Sequence, residues 1–375
     1  MKAWGVVSTV LVCGFFSINV NAAASKRTST SIDHQSLSLR ALGMGGAFSA
    51  IADDYNALAY NPAGLAFIKE WQMHGTIAVG GSTDVKTLMD DISEAIEKQF
   101  GKELALRLTP LYGAWVWPGK GFSFTPADVS LDIGIDQQIG PSLDLAVTGD
   151  TTFMFGYARE IPSSKARLSW GVTAKAVHRV FYQNVLSAAQ LAEDGDLLRL
   201  DDADEGLTFD FDVGLLFTPR PPGQGPVHFL KYVNPTFSLV ARNVIDYGFT
   251  KNFNFIDENS GEPPKLGRRF DFGSVFPLPQ LWVFHPRFAF EFRDMGHENW
   301  TFKKGYHAGF ELEWVVGNWL RGAYRVGLGE GYLSAGVTAK LAWFQLDVAT
   351  WGEEIGVAGN SKESRRVMLN ASLDF

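Results

Sequence analysis

Side chains able to do acid–base or nucleophilic chemistry are thinly spread along this sequence. Seven histidines are scattered through 375 residues, and the one cysteine, Cys13, lies near the start. A nucleophile needs a base within hydrogen-bond reach, and no Ser/His/Asp grouping comes together. His307 and Glu311 share a face, but four residues of extended chain at ~3.3 Å each set them about 13 Å apart. No histidine pair has the spacing of metal ligands. The run Asp201-Asp202-Ala203-Asp204-Glu205 could hold Ca²⁺, the plainer reading being a solvated acidic loop. Neither an enzyme nor a resident metal or cofactor is expected.

Two other sets of residues have informative spacing. Arg287, Glu291, Arg293, Glu311, Glu313, Arg321, Arg325 and Asp347 alternate with apolar residues in neighbouring runs. Opposite charges on adjacent strands pair favourably, most of all in a partly dry interior. They form either a ladder that stiffens one wall or a polar gate, where an arginine fork suits a carboxylate headgroup. The second set is Val85, Leu88, Met89, Ile92, Ile96 and Phe100, whose three-and-four spacing makes an amphipathic helix over Asp84 to Leu104. A weaker one runs from Val185 to Leu198. Their apolar stripes need a partner: either a groove for an apolar substrate at the cell surface, or packing over the mouth of the fold.

The elements that must carry these residues are strands. In Arg366 to Phe375, Val367, Leu369, Ala371, Leu373 and Phe375 fall on one face, opposite Arg366, Asn370, Ser372 and Asp374. The same period of two recurs in Leu207 to Phe217, with Phe209, Phe211 and Val213 opposing Thr208, Asp210 and Asp212. Phe288, Phe290 and Phe292 oppose Arg287, Glu291 and Arg293. About fourteen such runs are expected, near 70–82, 106–118, 121–135, 143–160, 166–182, 206–218, 235–245, 268–276, 283–293, 304–315, 319–327, 331–340, 341–350 and 364–375. Many reach the nine residues that cross a bilayer at a tilt. Trp71, Trp115, Trp117, Trp314, Trp319 and Trp351 sit toward run ends, where an interfacial girdle belongs. Long connections alternate with short ones, as in a barrel with loops on one side and turns on the other. The fold class expected is all-β, a transmembrane antiparallel barrel.

Composition agrees by exclusion. With 33 basic against 41 acidic residues the net charge is -8, the wrong sign for a nucleic-acid partner. Aromatic residues, 13% of the chain, exclude disorder. A mean hydropathy of -0.02 follows if alternate residues face lipid and lumen. No later run of 18 apolar residues offers a membrane helix. Lys2, the apolar run Val6 to Ile18 and Asn21-Ala22-Ala23-Ala24 have the parts of a secretory leader ending at Ala24.

The stretch Leu42-Gly43-Met44-Gly45-Gly46-Ala47-Phe48-Ser49, followed by Ala50-Ile51-Ala52-Asp53-Asp54 and Asn61-Pro62-Ala63-Gly64, lacks the third glycine of a dinucleotide loop and the strand before it. It reads as a small-residue segment able to pack in a confined space, stopped by a turn at Asn61. This motif resembles the start of the FadL/PorV-like outer-membrane barrels, with weaker echoes at Ala241-Arg242-Asn243 and in the closing hairpins from Arg321. The resemblance implies a fourteen-stranded barrel, 67–375, with 25–66 folded inside it as a hatch after the leader, 1–24. Leu42, Gly43, Met44, Phe48, Asn61 and Pro62 are then the hatch or substrate residues. Leu88, Met89, Ile92, Ile96 and Phe100 are the surface groove, and the charged set is the lumenal polar lining. It also implies passage of hydrophobic, fatty-acid-like molecules across the outer membrane of a Gram-negative cell, through a kinked strand that opens sideways. The alternative within the same superfamily is a secretion or assembly accessory that binds a protein partner and transports nothing. Expected partners are outer-membrane lipid, an apolar small molecule and the insertion machinery, which reads the terminal Phe375.

Overall fold

The structure is a computed structural model describing residues 32, 38–83, 103–136, 142–164, 166–187, 203–220, 234–250, 255, 261–317, 319–355 and 361–375. Its strands are β1 (Gln72–Ser82), β2 (Glu103–Trp117), β3 (Lys120–Asp136), β4 (Ser142–Ile161), β5 (Ala166–Ser187), β6 (Asp204–Pro219) and β7 (Thr236–Arg242). The second half comprises β8 (Arg269–Pro277), β9 (Phe284–Met295), β10 (Tyr306–Val316), β11 (Leu320–Gly329), β12 (Tyr332–Leu341), β13 (Phe344–Glu354) and β14 (Glu363–Asp374). Each strand pairs antiparallel with its sequence neighbours. Pairing of β1 with β14, from His74↔Asp374 to Ser82↔Arg366, closes the sheet into a fourteen-stranded barrel with no free edge.

Alternation decides which way each residue points. On β6, Phe209, Phe211, Val213, Leu215 and Phe217 are exposed, while Thr208, Asp210 and Asp212 are buried. On β14, Val367, Leu369 and Leu373 face out, and Met368, Asn370 and Ser372 face in. In water so many exposed large apolar side chains would be a liability; in a bilayer they are the surface that lipid covers. Among the described residues no helix is long and apolar enough to span a membrane.

The interior is filled by the chain's own N-terminal part. Residues 38–68 carry a short helix, Leu39–Gly43, a one-turn helix, Ala57–Tyr60, and a 3-10 helix, Pro62–Phe67. Met44, Ala47, Phe48, Ala52, Leu58 and Leu65 have no accessible surface. Phe48, Met44, Ile51 and Tyr60 form one cluster with Val275 of β8 and Ala289 of β9. Ala52, Leu58, Leu65 and Ile68 form another with Val116 and Ala158.

Some sequence expectations shift. All fourteen strands lie within a few residues of their expected places, but the helix expected through Leu104 cannot extend that far, because Glu103 and Leu104 already pair with Gly134 and Ile133. The rest of that helix, with Leu88, Met89, Ile92, Ile96 and Phe100, lies outside the described residues, as do the leader, residues 25–31 and the Asp201-Asp202 pair. Val185 to Ser187, expected to start a second helix, continue β5 opposite Asp144 to Ser142. Trp351 does not belong to the outer girdle. Its parity puts it inside, 7% exposed, packed with Leu39, Leu42 and Met368. The β12–β13 hairpin turns at Ala342-Trp343, so β13 starts at Phe344 rather than 341.

Candidate functional site

The inner segment and the wall fit each other through backbone contact and through charge. Gly45 and Gly46 take positive φ, +67° and +92°, which lets the chain reverse beside Leu328 and His307. Wall glycines make room for the turn and its flanks. A methyl group on Gly43 would come within 3.0 Å of the Gly336 Cα, and one on Gly309 within 2.7 Å of the Met44 Cβ. A methyl on Gly273 would come within 2.6 Å of the Ser49 Oγ. Asn61 caps the 3-10 helix by accepting from the Ala63 N–H at 3.1 Å, and its amide donates to the Ser49 carbonyl at 2.9 Å. Pro62 follows it against the backbone of Gly171 and Gly214. Thus Leu42, Gly43, Met44, Phe48, Asn61 and Pro62 all lie at the contact between segment and wall.

Arg287, Glu311, Glu313 and Arg325 of the charged lining form one connected group on β9, β10 and β11. Glu311 is 1% exposed and lies directly opposite Arg287 on one side and Arg325 on the other. Arg287 Nε donates to it at 2.5 Å and Arg325 Nε at 2.6 Å, while Arg40 of the inner segment donates at 3.0 and 3.2 Å. Arg40 also donates to Asp53 at 2.7 Å and Asp54 at 2.5 Å, and Arg287 reaches Asp53 at 2.8 Å and Glu313 at 3.0 Å. Glu291 accepts from the backbone N–H groups of Phe48 and Ser49, both at 2.8 Å, and Arg293 donates to the Gly46 carbonyl at 3.1 Å. Arg325 also bonds Thr338, which bonds Asp347. Arg321 lies apart from this group, exposed near the start of β11.

Burial would raise the Asp53 carboxyl, but Arg40 and Arg287 outweigh it and hold it down at about 2. Asp53 and Asp54 entered the sequence reading only as part of the motif at 50–54, and Arg40 was not among the expected site residues. The available signal was their charge in a stretch otherwise made of small and apolar residues.

On the opposite wall the ladder is broken twice. Thr76 and Ala78 of β1 face Tyr112 and Thr109 of β2, so β2 holds one extra residue around Pro110. Thr125 and Asp128 of β3 face Thr152 and Asp150 of β4, so β3 holds one extra around Pro126. Proline has no N–H to give a ladder, and an extra residue bends and twists its strand. Inside these bulges lies a cavity of about 70 Å³ between the wall and the inner segment, lined by residues including Tyr55, His74, Arg107, Tyr112, Asp128 and Met154. Arg107 and Asp128 pair through two bonds, 3.0 and 2.5 Å. Tyr55 stacks on His74 with centroids 3.7 Å apart. Outside the same strands, Trp71, Trp115, Trp117 and Phe122 line an open groove of about 520 Å³. None of the cavity residues was singled out from the sequence, although a proline inside an alternating run is a bulge signal.

Among the described residues no group of three or more His, Cys, Asp or Glu side chains could hold a metal ion. No family model and no curated protein sequence matches the chain. Solved structures do. The chain is similar to the CymD monoaromatic hydrocarbon channel, with 10% identity over 89% of this chain and 96% of that one and a TM-score of 0.46. It is similar to the Ralstonia pickettii toluene transporter TbuX, with 10% identity over 89% and 97% and a TM-score of 0.42. A Pseudomonas aeruginosa FadL homologue matches with 9% identity over 89% and 96% and a TM-score of 0.41.

Proposed function

We propose that this protein is an outer-membrane transport barrel that passes small hydrophobic molecules, with residues 38–68 as its hatch and the β2–β3 bulges as its side exit. One observation carries the reading: the cavity lies between the inner segment and the place where two adjacent strands lose register together. A lumen filled by its own chain offers no wide water-filled path along the axis. An apolar solute gains little from such a path, since it is more stable in the bilayer than in water. Loosened pairing beside a cavity gives it a route from lumen to lipid. The outer groove of tryptophans by the same strands is an apolar landing surface. Toluene and monoaromatic hydrocarbons, the cargo of the similar channels TbuX and CymD, belong to this class.

In this reading residues 1–24 export the chain to the periplasm of a Gram-negative cell. The last strand, ending at Phe375, is then read by the insertion machinery. Phe375 exchanges backbone hydrogen bonds with Met73, both at 2.9 Å, and stacks on Trp343, so it sits at the barrel seam.

Native mass spectrometry of the purified full-length barrel, followed by uptake into proteoliposomes, tests the proposal. Bound apolar small molecules and accelerated uptake of a labelled alkylbenzene are expected. A stoichiometric protein partner, no bound small molecule and no uptake would overturn it in favour of an accessory barrel.

A further inference from the structure

We propose that the cavity beside the β2–β3 bulges recognises neutral small amphiphiles bearing a hydroxyl group, with His74 Nε2 as the hydrogen-bond acceptor. The inference rests on the reading of this cavity as part of the transport route, and it names the cargo chemistry. His74, on β1, is 2% exposed. Its Nδ1 bonds Asp374 on β14, and Lys340 on β12 donates to the other oxygen of that carboxylate at 2.7 Å. A ring nitrogen facing a carboxylate carries the proton, so the neutral imidazole keeps its lone pair on Nε2. That atom is buried and has no partner among the described residues. Buried polar atoms are almost always bonded, so one left open beside a cavity is where a ligand's donor belongs.

The rest of the lining sets what that donor is attached to. Tyr55 lies against the imidazole face, and the Tyr112 ring is centred 5.9 Å from it, giving an aromatic wall for an apolar body. Charge in the lining is already matched. Its charged pair, Arg107 and Asp128, is engaged with itself. A carboxylate would have to compete for a cation that has its partner, whereas a neutral hydroxyl needs only the open acceptor. At about 70 Å³ the cavity has several times the room one water needs and far less than a drug-sized ligand takes. It suits one ring or a short chain rather than an extended acyl tail.

Equilibrium dialysis of the full-length protein in detergent, against protein-free micelles, tests this with three probes: 4-ethylphenol, its methyl ether 4-ethylanisole, and 4-ethylbenzoate. The phenol should bind about tenfold tighter than the ether, the scale of one uncharged hydrogen bond, and the benzoate weakest. His74→Phe should bring phenol and ether to equal affinity. If wild-type protein binds phenol and ether equally, or prefers the benzoate, the proposal is overturned without reference to any variant. A preference that survives in a folded His74→Phe protein overturns the assignment to His74. Uptake of ethylbenzene into proteoliposomes separates the two readings. Uptake without phenol selectivity leaves transport standing and removes the hydroxyl site. Selective, His74-dependent binding without any uptake leaves the site and removes transport.

Discussion

Arg40, on the segment inside the barrel, donates through Nε and Nη2 to the two carboxylate oxygens of Glu311 on β10, at 3.0 and 3.2 Å. Glu311 is the point where the wall's ladder and the segment's only arginine meet, since Arg287 and Arg325 bond the same carboxylate. Removing one partner of a buried ion pair costs about 3–5 kcal/mol, because the other charge stays buried. Arg40→Ala leaves Glu311 with two guanidinium partners and belongs at the low end. Glu311→Ala takes from three guanidinium groups the carboxylate they share, leaving Arg325 with only Thr338, and should cost more. In both variants proteases should reach residues 38–68 faster and single-channel conductance in planar bilayers should rise, Glu311→Ala more than Arg40→Ala. Equal conductance in all three proteins would mean the pair does not hold the segment.

The wall glycines predict a purely steric release. Leucine at Gly309 would drive its Cβ to 2.7 Å from the Met44 Cβ, a side chain that has no accessible surface. The β9–β10–β11 ladder uses only backbone there, so the barrel itself should still close. Gly309→Leu is expected to keep the mobility difference between unboiled and boiled samples in detergent gels while conductance increases. The control is Gly75→Ala, where nothing lies within 4 Å of the added methyl, and it should leave both readouts unchanged.

These contacts show what a sequence can and cannot reveal. Strand positions were legible because a barrel wall has two solvents, and from Thr208 to Val213 each residue reports which one it faces, although Leu216 is apolar and buried inside. The segment was legible as something packed tightly, since Gly43, Gly45 and Gly46 in a row permit little else. Which wall residue meets which segment residue was not, because Arg40 and Glu311 are 271 positions apart and only the closed register brings them together. His74 and Asp374 were invisible for the same reason: they are partners across the closing seam between first and last strands. Trp351 was misplaced because tryptophan near a strand end suggests a girdle, whereas its parity with Asp347 and Ala349 points it inward.

Acid should loosen the segment in a definite range. Asp53 is held down at about 2 from an ordinary 3.8 by Arg40 and Arg287, against burial and the nearby Glu311. A carboxyl held down in the folded state contributes fully above its unfolded value, and its contribution disappears as pH falls through the folded one. The Asp53 contacts are therefore complete at neutral pH, weaken below about pH 4 and are gone near pH 2. Conductance of the wild type should rise across that window. Asp53→Asn should start higher at pH 7 and rise less on acidification. Parallel curves for the two proteins would assign the acid response to other carboxyls.

The side exit can be locked chemically. Leu111 and Ala127 are register partners between the two shifts of the β2–β3 ladder, Leu111 exposed and Ala127 buried. Directly opposed Cβ atoms stand about 4.5–5.5 Å apart, a separation that small backbone movement reduces to disulfide geometry. Residues 14–375 contain no cysteine, so Leu111→Cys with Ala127→Cys supplies the one possible bridge within them. If cargo leaves by parting these strands, oxidation should cut proteoliposome uptake at least fivefold and dithiothreitol should restore it, while heat-modifiable gel mobility stays constant. A bridge placed at Leu312→Cys with Tyr324→Cys, between the unbroken β10 and β11, should have no such effect. Full-speed uptake through the oxidised bulge would move the exit away from β2 and β3, and would leave their two prolines needing a purely architectural reason: relief of strain where a strongly tilted wall bends around the buried segment.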